Sequence, residues 1–298
     1  MSSSVDTALL RTFLEVQKTR HFGRAAENLY LTQSAVSFRI RQLEELLGVK
    51  LFERYRHNIQ LTPAGERLVS HAQAILTAWQ RATQEVGLHE RQRLQLVLGA
   101  PSNLWDAVLQ EHLVSIARQL PDVALSTDTL NSHALVRSLL EHTLDLAVLL
   151  DPPKVEELST DSLGWLDLVM VSSRELQTPA QLDETDFVLI NWGTAFSIRQ
   201  AKAVSHTLNP VLQTSQTSIA LEYLLRDNGA AFMPLRVVAP LLDEGQLHRV
   251  PGIAQVRREL FAVYRNNNGK QQAIAELVNT MRTHTANGQS GGTPLQPE

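Results

Sequence analysis

Apolar residues along the first sixty positions recur at helical spacing. Leu9, Leu10, Phe13, Leu14 and Val16 share a broad face and predict a first helix. Past Thr19-Arg20-His21 a shorter helix is expected from Phe22 to Leu29, and its Ala25-Ala26 pair is small enough to let another helix approach closely. Leu29-Tyr30-Leu31 makes a turn. Thr32 suits the N-cap of a third helix, which runs to about Leu47 before Gly48 stops it. In that helix Val36, Ile40, Leu43 and Leu47 fall at i, i+4, i+7 and i+11, so they lie on one buried face. Ser34, Ser37, Phe38 and Arg41 project from the other side, with Gln33 in the first turn. Leu51-Phe52 and Ile59-Gln60-Leu61 predict a small hairpin, or wing, with a basic tip from Arg54 to Asn58 that includes Arg56.

The pattern changes at Pro63, a residue suited to the first turn of a helix. Leu68, Ala72, Ile75, Trp79, Ala82 and Val86 alternate spacings of four and three, which is a heptad seam. A helix from Pro63 to about Glu90 is roughly 40 Å long at ~1.5 Å per residue. Its seam is too long for a sixty-residue head to cover. It packs on its own body or on another chain.

Beyond residue 92 strands and helices alternate. Strands are expected at Leu94–Gly99, Val123–Thr129, Asp145–Leu150, Leu166–Ser172, Phe187–Asn191 and Arg258–Tyr264, with helices to about Gln119, to His142, and from about Gln271 to His284. This alternation implies a parallel α/β sheet, most economically in two small lobes. The tail from Ala286 to Glu298 is rich in Gly, Gln and Pro and is expected to be disordered. The expected division is a winged helix-turn-helix at 1–62, a linker helix at 63–91, and an α/β domain of two lobes at 92–285. Its first lobe takes about 92–163 and 266–285, its second about 164–265.

Net charge is −4, an argument against nucleic acid that its distribution reverses. Residues 1–62 hold nine Lys and Arg against six Asp and Glu, whereas the remainder holds 18 against 25. A basic head on an acidic body fits a DNA-docking domain joined to one that avoids DNA. There is no cysteine, which removes disulfides, thiol nucleophiles and thiolate metal sites. No apolar run has transmembrane length and no signal-peptide stretch opens the chain, so a cytoplasmic protein is expected.

Two short helices, a tight turn and a third helix with one polar face are the layout of a helix-turn-helix, whose recognition helix enters the major groove. Gln33 can pair with adenine, Ser34 and Ser37 can donate or accept, and Phe38 can pack on a thymine methyl. Arg24, Arg39 and Arg41, with Thr32 and the wing residues Arg54 and Arg56, suit the phosphate backbone, which positions without specifying. From periodicity alone, a three-helix bundle that binds protein stays open.

The residues themselves narrow that choice. Phe22-Gly23-Arg24-Ala25-Ala26-Glu27-Asn28-Leu29, Thr32-Gln33-Ser34-Ala35-Val36-Ser37, Ile40-Arg41-Gln42-Leu43-Glu44, Leu46-Leu47-Gly48-Val49-Lys50-Leu51-Phe52-Glu53-Arg54 and Leu61-Thr62-Pro63-Ala64-Gly65 closely resemble the head of LysR-type transcriptional regulators. The match covers nearly all of the first 65 residues at the family's spacing and is most similar to the HdfR-like branch, described as repressors of flagellar genes. Phe38 departs from the polar or basic residue that many members carry. The resemblance implies an antiparallel coiled-coil dimer through the linker helix, or a dimer of dimers. It implies double-stranded promoter DNA as partner, with RNA polymerase a further candidate. It also implies a two-lobed effector domain resembling periplasmic binding proteins.

In such folds ligands sit between lobes, at strand ends and helix starts. That nominates Ser102 and Asn103; Thr129, Asn131 and Ser132; Trp192, Thr194 and Phe196; and Thr217 and Ser218. Helix-start N–H groups favour an anionic effector. For each of these residues the alternative is a cap or turn residue with no ligand role, more so for the others than for Ser102. No P-loop, GxGxxG, HExxH, GxSxG or Cys/His cluster occurs, and the ten histidines show no ligand spacing, so no catalytic residue, metal or cofactor is expected. A solute-binding protein accounts for residues 92–285 but not for the head. A DNA-binding repressor that needs no effector shares the head and remains the main alternative.

Overall fold

The computed structural model describes residues 6–55, 58–86, 92–184, 186–203 and 208–287. The chain divides into two compact units, 1–87 and 88–298.

The first unit opens with three helices, α1 (Thr7–Thr19), α2 (Phe22–Asn28) and α3 (Gln33–Leu47). Side chains hold their starts: Asp6 accepts from Ala8 N, His21 Nδ1 from Gly23 N and Arg24 N, and Thr32 Oγ1 from Ala35 N. Each such cap is worth about 1 kcal/mol. Gly48 ends α3 in the left-handed conformation, φ 69°. Leu9, Phe13, Val16, Ala25, Ala26, Val36, Ile40 and Leu43 form the core between the helices. Strands β1 (Phe52–Tyr55) and β2 (Asn58–Leu61) pair antiparallel as the wing. Phe52 fastens it to the helices, its ring 5.4 Å from Phe13 and 6.2 Å from Phe22.

Helix α4 (Pro63–Val86) follows. Thr62 Oγ1 accepts from Gly65 N in its first turn. The heptad seam divides along its length. Ala72 is fully buried, and Leu68, Val69 and Leu76 pack on the head. Ile75, Trp79 and Val86 stay exposed, at 47%, 53% and 89%. The expected continuation to Glu90 lies outside the described residues.

The second unit is built on one nine-stranded sheet. One half holds β3 (Leu94–Ala100), β4 (Val123–Thr129) and β5 (Leu146–Leu149), all parallel. Between them run α5 (Ser102–Leu104), a π turn (Trp105–Leu109), a 3-10 turn (Gln110–His112), α6 (Leu113–Gln119) and α7 (Ser132–Leu140). The other half holds β7 (Asp186–Ile190), β8 (Pro210–Thr214) and β9 (Gly229–Pro234), also parallel, with α8 (Thr194–Ala203), α9 (Thr217–Arg226) and α10 (Leu235–Asp243). The long strands β6 (Leu158–Ser172) and β11 (Val256–Arg265) join the halves, and β10 (His248–Arg249) pairs with β6. Helix α11 (Gln271–Asn287) closes the unit, running two residues into the expected tail. The rest of that tail lies outside the described residues.

The expected parallel pairing is present within each half, and the crossing strands make the sheet mixed: β11 pairs antiparallel with both β5 and β6, and β6 antiparallel with β9. One crossing carries the chain out of the first lobe and the other brings it back, so the two must run opposite ways. Strand β6 also begins eight residues before the expected Leu166. Its early part, Ser159-Thr160-Asp161-Ser162, is polar and carries no hydrophobic alternation. Pairing with β11 extends it, helped by Ser162 to Glu259 and Tyr264 to Asp161, each 2.5 Å. The register shifts at Leu163, and Gly164 sits at φ 124° beside it.

Candidate functional site

The recognition helix α3 is two-sided. Val36, Ile40 and Leu43 are at most 2% exposed, each contributing about 1.5–3 kcal/mol by leaving water. On the opposite face Gln33, Ser34, Phe38 and Arg41 are exposed and Ser37 half-buried. Phe38 is 61% exposed, an aromatic ring kept in water on the face away from the core. Thr32 Oγ1 caps the helix and lies 2.9 Å from Ser34 Oγ. Arg24 is exposed on α2. Arg39 is half-buried on α3, its Nη1 donating to Thr12 Oγ1 of α1, 3.4 Å away. The side chain of Arg54 and the whole of Arg56 lie outside the described residues. The turn before α3 holds Tyr30 at φ 55° and 97% exposed. Sequence reasoning gives Tyr30 only as a turn residue. Its one signal is a bulky aromatic where turns prefer small polar residues.

The wing is tied to α3 through Glu44. This side chain is nearly buried, its Oε1 accepting from Leu51 N at 3.0 Å and its Oε2 from Lys50 at 2.6 Å.

In the second unit, polar residues from both halves of the sheet meet at the helix starts. Ser102 Oγ donates to Ser215 O at 2.5 Å, Asn103 Nδ2 to Asn191 O at 2.7 Å, and Thr217 Oγ1 to Asn103 O at 3.2 Å. Asp106 Oδ2 accepts from Ser218 N at 3.0 Å and Ser218 Oγ at 2.8 Å. Asp151 Oδ2 accepts from Thr194 N at 2.8 Å, and its Oδ1 faces Arg258 Nη2 at 2.5 Å. Among the described residues no group of His, Asp and Glu could hold a metal ion, and no helix is long and apolar enough to cross a membrane.

A family model described as the bacterial regulatory helix-turn-helix protein, lysR family, matches residues 7–66, and one described as the LysR substrate binding domain matches 89–286. The chain belongs to the LysR family. It is 40% identical to the HTH-type transcriptional regulator HdfR of Yersinia pestis (strain Pestoides F) over 285 residues, 93% of this chain and 96% of that one. Among solved structures, CbnR, a LysR family transcriptional regulator, shares the fold at a TM-score of 0.69 and 18% identity, covering 94% of this chain and 99% of its own. CbnR complexed with its target DNA matches at 0.68 and 17%, covering 94% and 100%. The LysR-family chain is therefore a transcriptional regulator with a DNA-binding helix-turn-helix and an effector-binding domain.

Within that effector domain the nominated residues separate into three groups. Ser102, Asn103, Thr217, Ser218 and the backbone of Thr194 come together between the halves of the sheet. Trp192 and Phe196 are corrected. They are 0% and 1% exposed, Trp192 Nε1 donating to Phe232 O at 3.0 Å and Phe196 meeting the Phe232 ring edge-on at 5.2 Å. They are core side chains of the second half, because large rings gain more from burial than from a polar cleft. Thr129, Asn131 and Ser132 stay exposed in the first half, where Asn131 Oδ1 caps α7 by accepting from Ala134 N. Asp106, Asp151 and Arg258 are missed by sequence reasoning. Asp151 stands just past the expected strand end at Leu150, but which helix start or guanidinium each of the three meets is set by the tertiary structure.

Proposed function

We propose that this LysR-family regulator reads a dyad-symmetric operator as a dimer, with α3 of each head in the major groove. The observation that carries this reading is the two-sidedness of α3. One face is buried against the other helices, and the other presents Gln33, Ser34, Ser37 and Phe38 to solvent. In this reading those four face base edges. Arg24, Arg41, Thr32 and the wing residues Arg54 and Arg56 hold the backbone. Arg39, which also bonds Thr12 of α1, joins them. The exposed half of the α4 seam, Ile75, Trp79 and Val86, is the surface a second copy covers. CbnR, solved on its target DNA, offers a fold that supports this docking.

The effector domain binds a small molecule between the halves of its sheet, near Ser102 and Thr217. Binding shifts the population of lobe arrangements and so the presentation of the heads. The protein acts by binding rather than catalysis, as its relatives are transcriptional regulators, and it works in the cytoplasm beside its DNA. The test is selection of sites from random duplex DNA with the full chain, followed by footprinting. An inverted-repeat motif with protected half-sites is the expected result. Enrichment of no motif, with uniform salt-sensitive binding, would overturn sequence-specific reading.

A further inference from the structure

The two helix starts that face the cleft from the second half of the sheet are already occupied. Asp106, in the first half, places its Oδ2 on the N–H of Ser218 in the first turn of α9. Asp151, just past β5, places its Oδ2 on the N–H of Thr194 at the start of α8. A helix start carries unpaired N–H groups and the positive end of the dipole, so it is where a bound carboxylate or phosphate would sit. Here the chain supplies both carboxylates itself.

Two further observations show that the Asp151 seat is built for this contact. Gly193 adopts φ 89°, and a Cβ there would collide with Asp151 Oδ2. Only glycine lets the carboxylate approach. Arg258 is the second: its side chain is 6% exposed, its Nε has no partner among the described residues, and its Nη2 meets Leu150 O at 3.1 Å and Asp151 Oδ1 at 2.5 Å. A buried guanidinium needs an anion beside it, and among the described residues Asp151 supplies it.

We propose that Asp106 and Asp151 act as tethered ligands. They bridge the two halves of the sheet and keep small carboxylates and phosphates out of both helix starts. An effector that enters must displace them or bind without using those N–H groups. This goes beyond the proposed function, because it holds whether or not an effector exists.

The test uses the full chain, with acetate as the probe and chloride at matched ionic strength as the control. Amide hydrogen exchange is followed at Thr194 and Ser218, together with the thermal midpoint. In the native chain both amides are protected and acetate changes neither readout. In Asp151→Ala the Thr194 amide, and in Asp106→Ala the Ser218 amide, exchanges about tenfold faster or more, as loss of a charged hydrogen bond implies. Acetate restores protection in a concentration-dependent way. Asp106→Asn and Asp151→Asn keep the size of each side chain, so they serve if an alanine variant fails to fold. They also exchange faster than the native chain. Native exchange rates in the variants, or equal acetate protection in the native chain, would overturn the proposal. Neither readout involves DNA, so failure here leaves operator binding standing, and the converse also holds.

Discussion

Glu44 of α3 accepts the backbone N–H of Leu51 at 3.0 Å, across seven residues, and this bond ties the start of the wing to the recognition helix. The carboxylate is buried and the amide belongs to a residue that is 0% exposed. Glu44→Ala therefore leaves a buried donor unpaired, at a cost of about 1–3 kcal/mol. Hydrogen exchange of the full chain should show the Leu51 amide losing protection, with looser operator binding. An unchanged Leu51 amide would mean that the wing is held without Glu44.

Phe38 and Arg41 should separate base reading from backbone holding. Phe38→Ala is expected to weaken the selected operator by about 1–3 kcal/mol for each base that the ring touches, with little change on random DNA. Arg41→Ala is expected to weaken all sequences alike and to reduce the salt slope by about one phosphate. Fluorescence anisotropy over a salt series distinguishes them. Equal, sequence-independent losses from both would show that Phe38 reads no base.

Gly65 inverts the usual helix rule. Replacing glycine by alanine inside a helix normally stabilises by about 0.8–1 kcal/mol. A Cβ at residue 65, however, would run into the Leu51 carbonyl and lie 2.8 Å from Leu61 Cδ2. Gly65→Ala should destabilise the first unit by about 1–3 kcal/mol, read as a lower urea midpoint. A higher midpoint would show that α4 and the wing can move apart freely.

Tyr264 gives the second unit an alkaline limit. Its phenol donates to Asp161 Oδ2, and that bond, then burial, then the Asp161 charge, push its pKa from 10.0 to about 12, with Arg282 opposing. A folded pKa above the unfolded one contributes stability that is complete below pH 10.0 and is lost as pH rises through about 12. Phenolate absorbance should show a phenol ionising near pH 12 that disappears in Tyr264→Phe. The variant should lose less stability across that window than the native chain. Tyr223 is also raised, by its hydrogen bond to Asp186, so the Tyr223 phenol still ionises late in the variant.

The head is legible in the sequence almost residue by residue. Its helices are set by contacts within a few turns, and its caps, Thr32 and Gly48, are local. The cleft is legible in part. Ser102, Asn103, Thr217 and Ser218 stand at helix starts, a position that periodicity locates. Trp192 and Phe196 stand at such positions too, yet their rings fold inward. Nothing in the local pattern says which way a ring at a loop mouth will turn.

The sequence by itself determined the helix-turn-helix, the wing, the linker helix and the alternation of strands and helices, because each depends on spacing within a short stretch. The tertiary structure decided the rest. The antiparallel crossing of β6 and β11 joins stretches far apart in the chain, and the polar opening segment of β6 carries no hydrophobic signal. The placing of Asp106 on Ser218 and Asp151 on Thr194 depends on the same crossing. A carboxylate finds a helix start from another lobe only after the sheet has closed, so its partner is set by packing and not by neighbours in the chain.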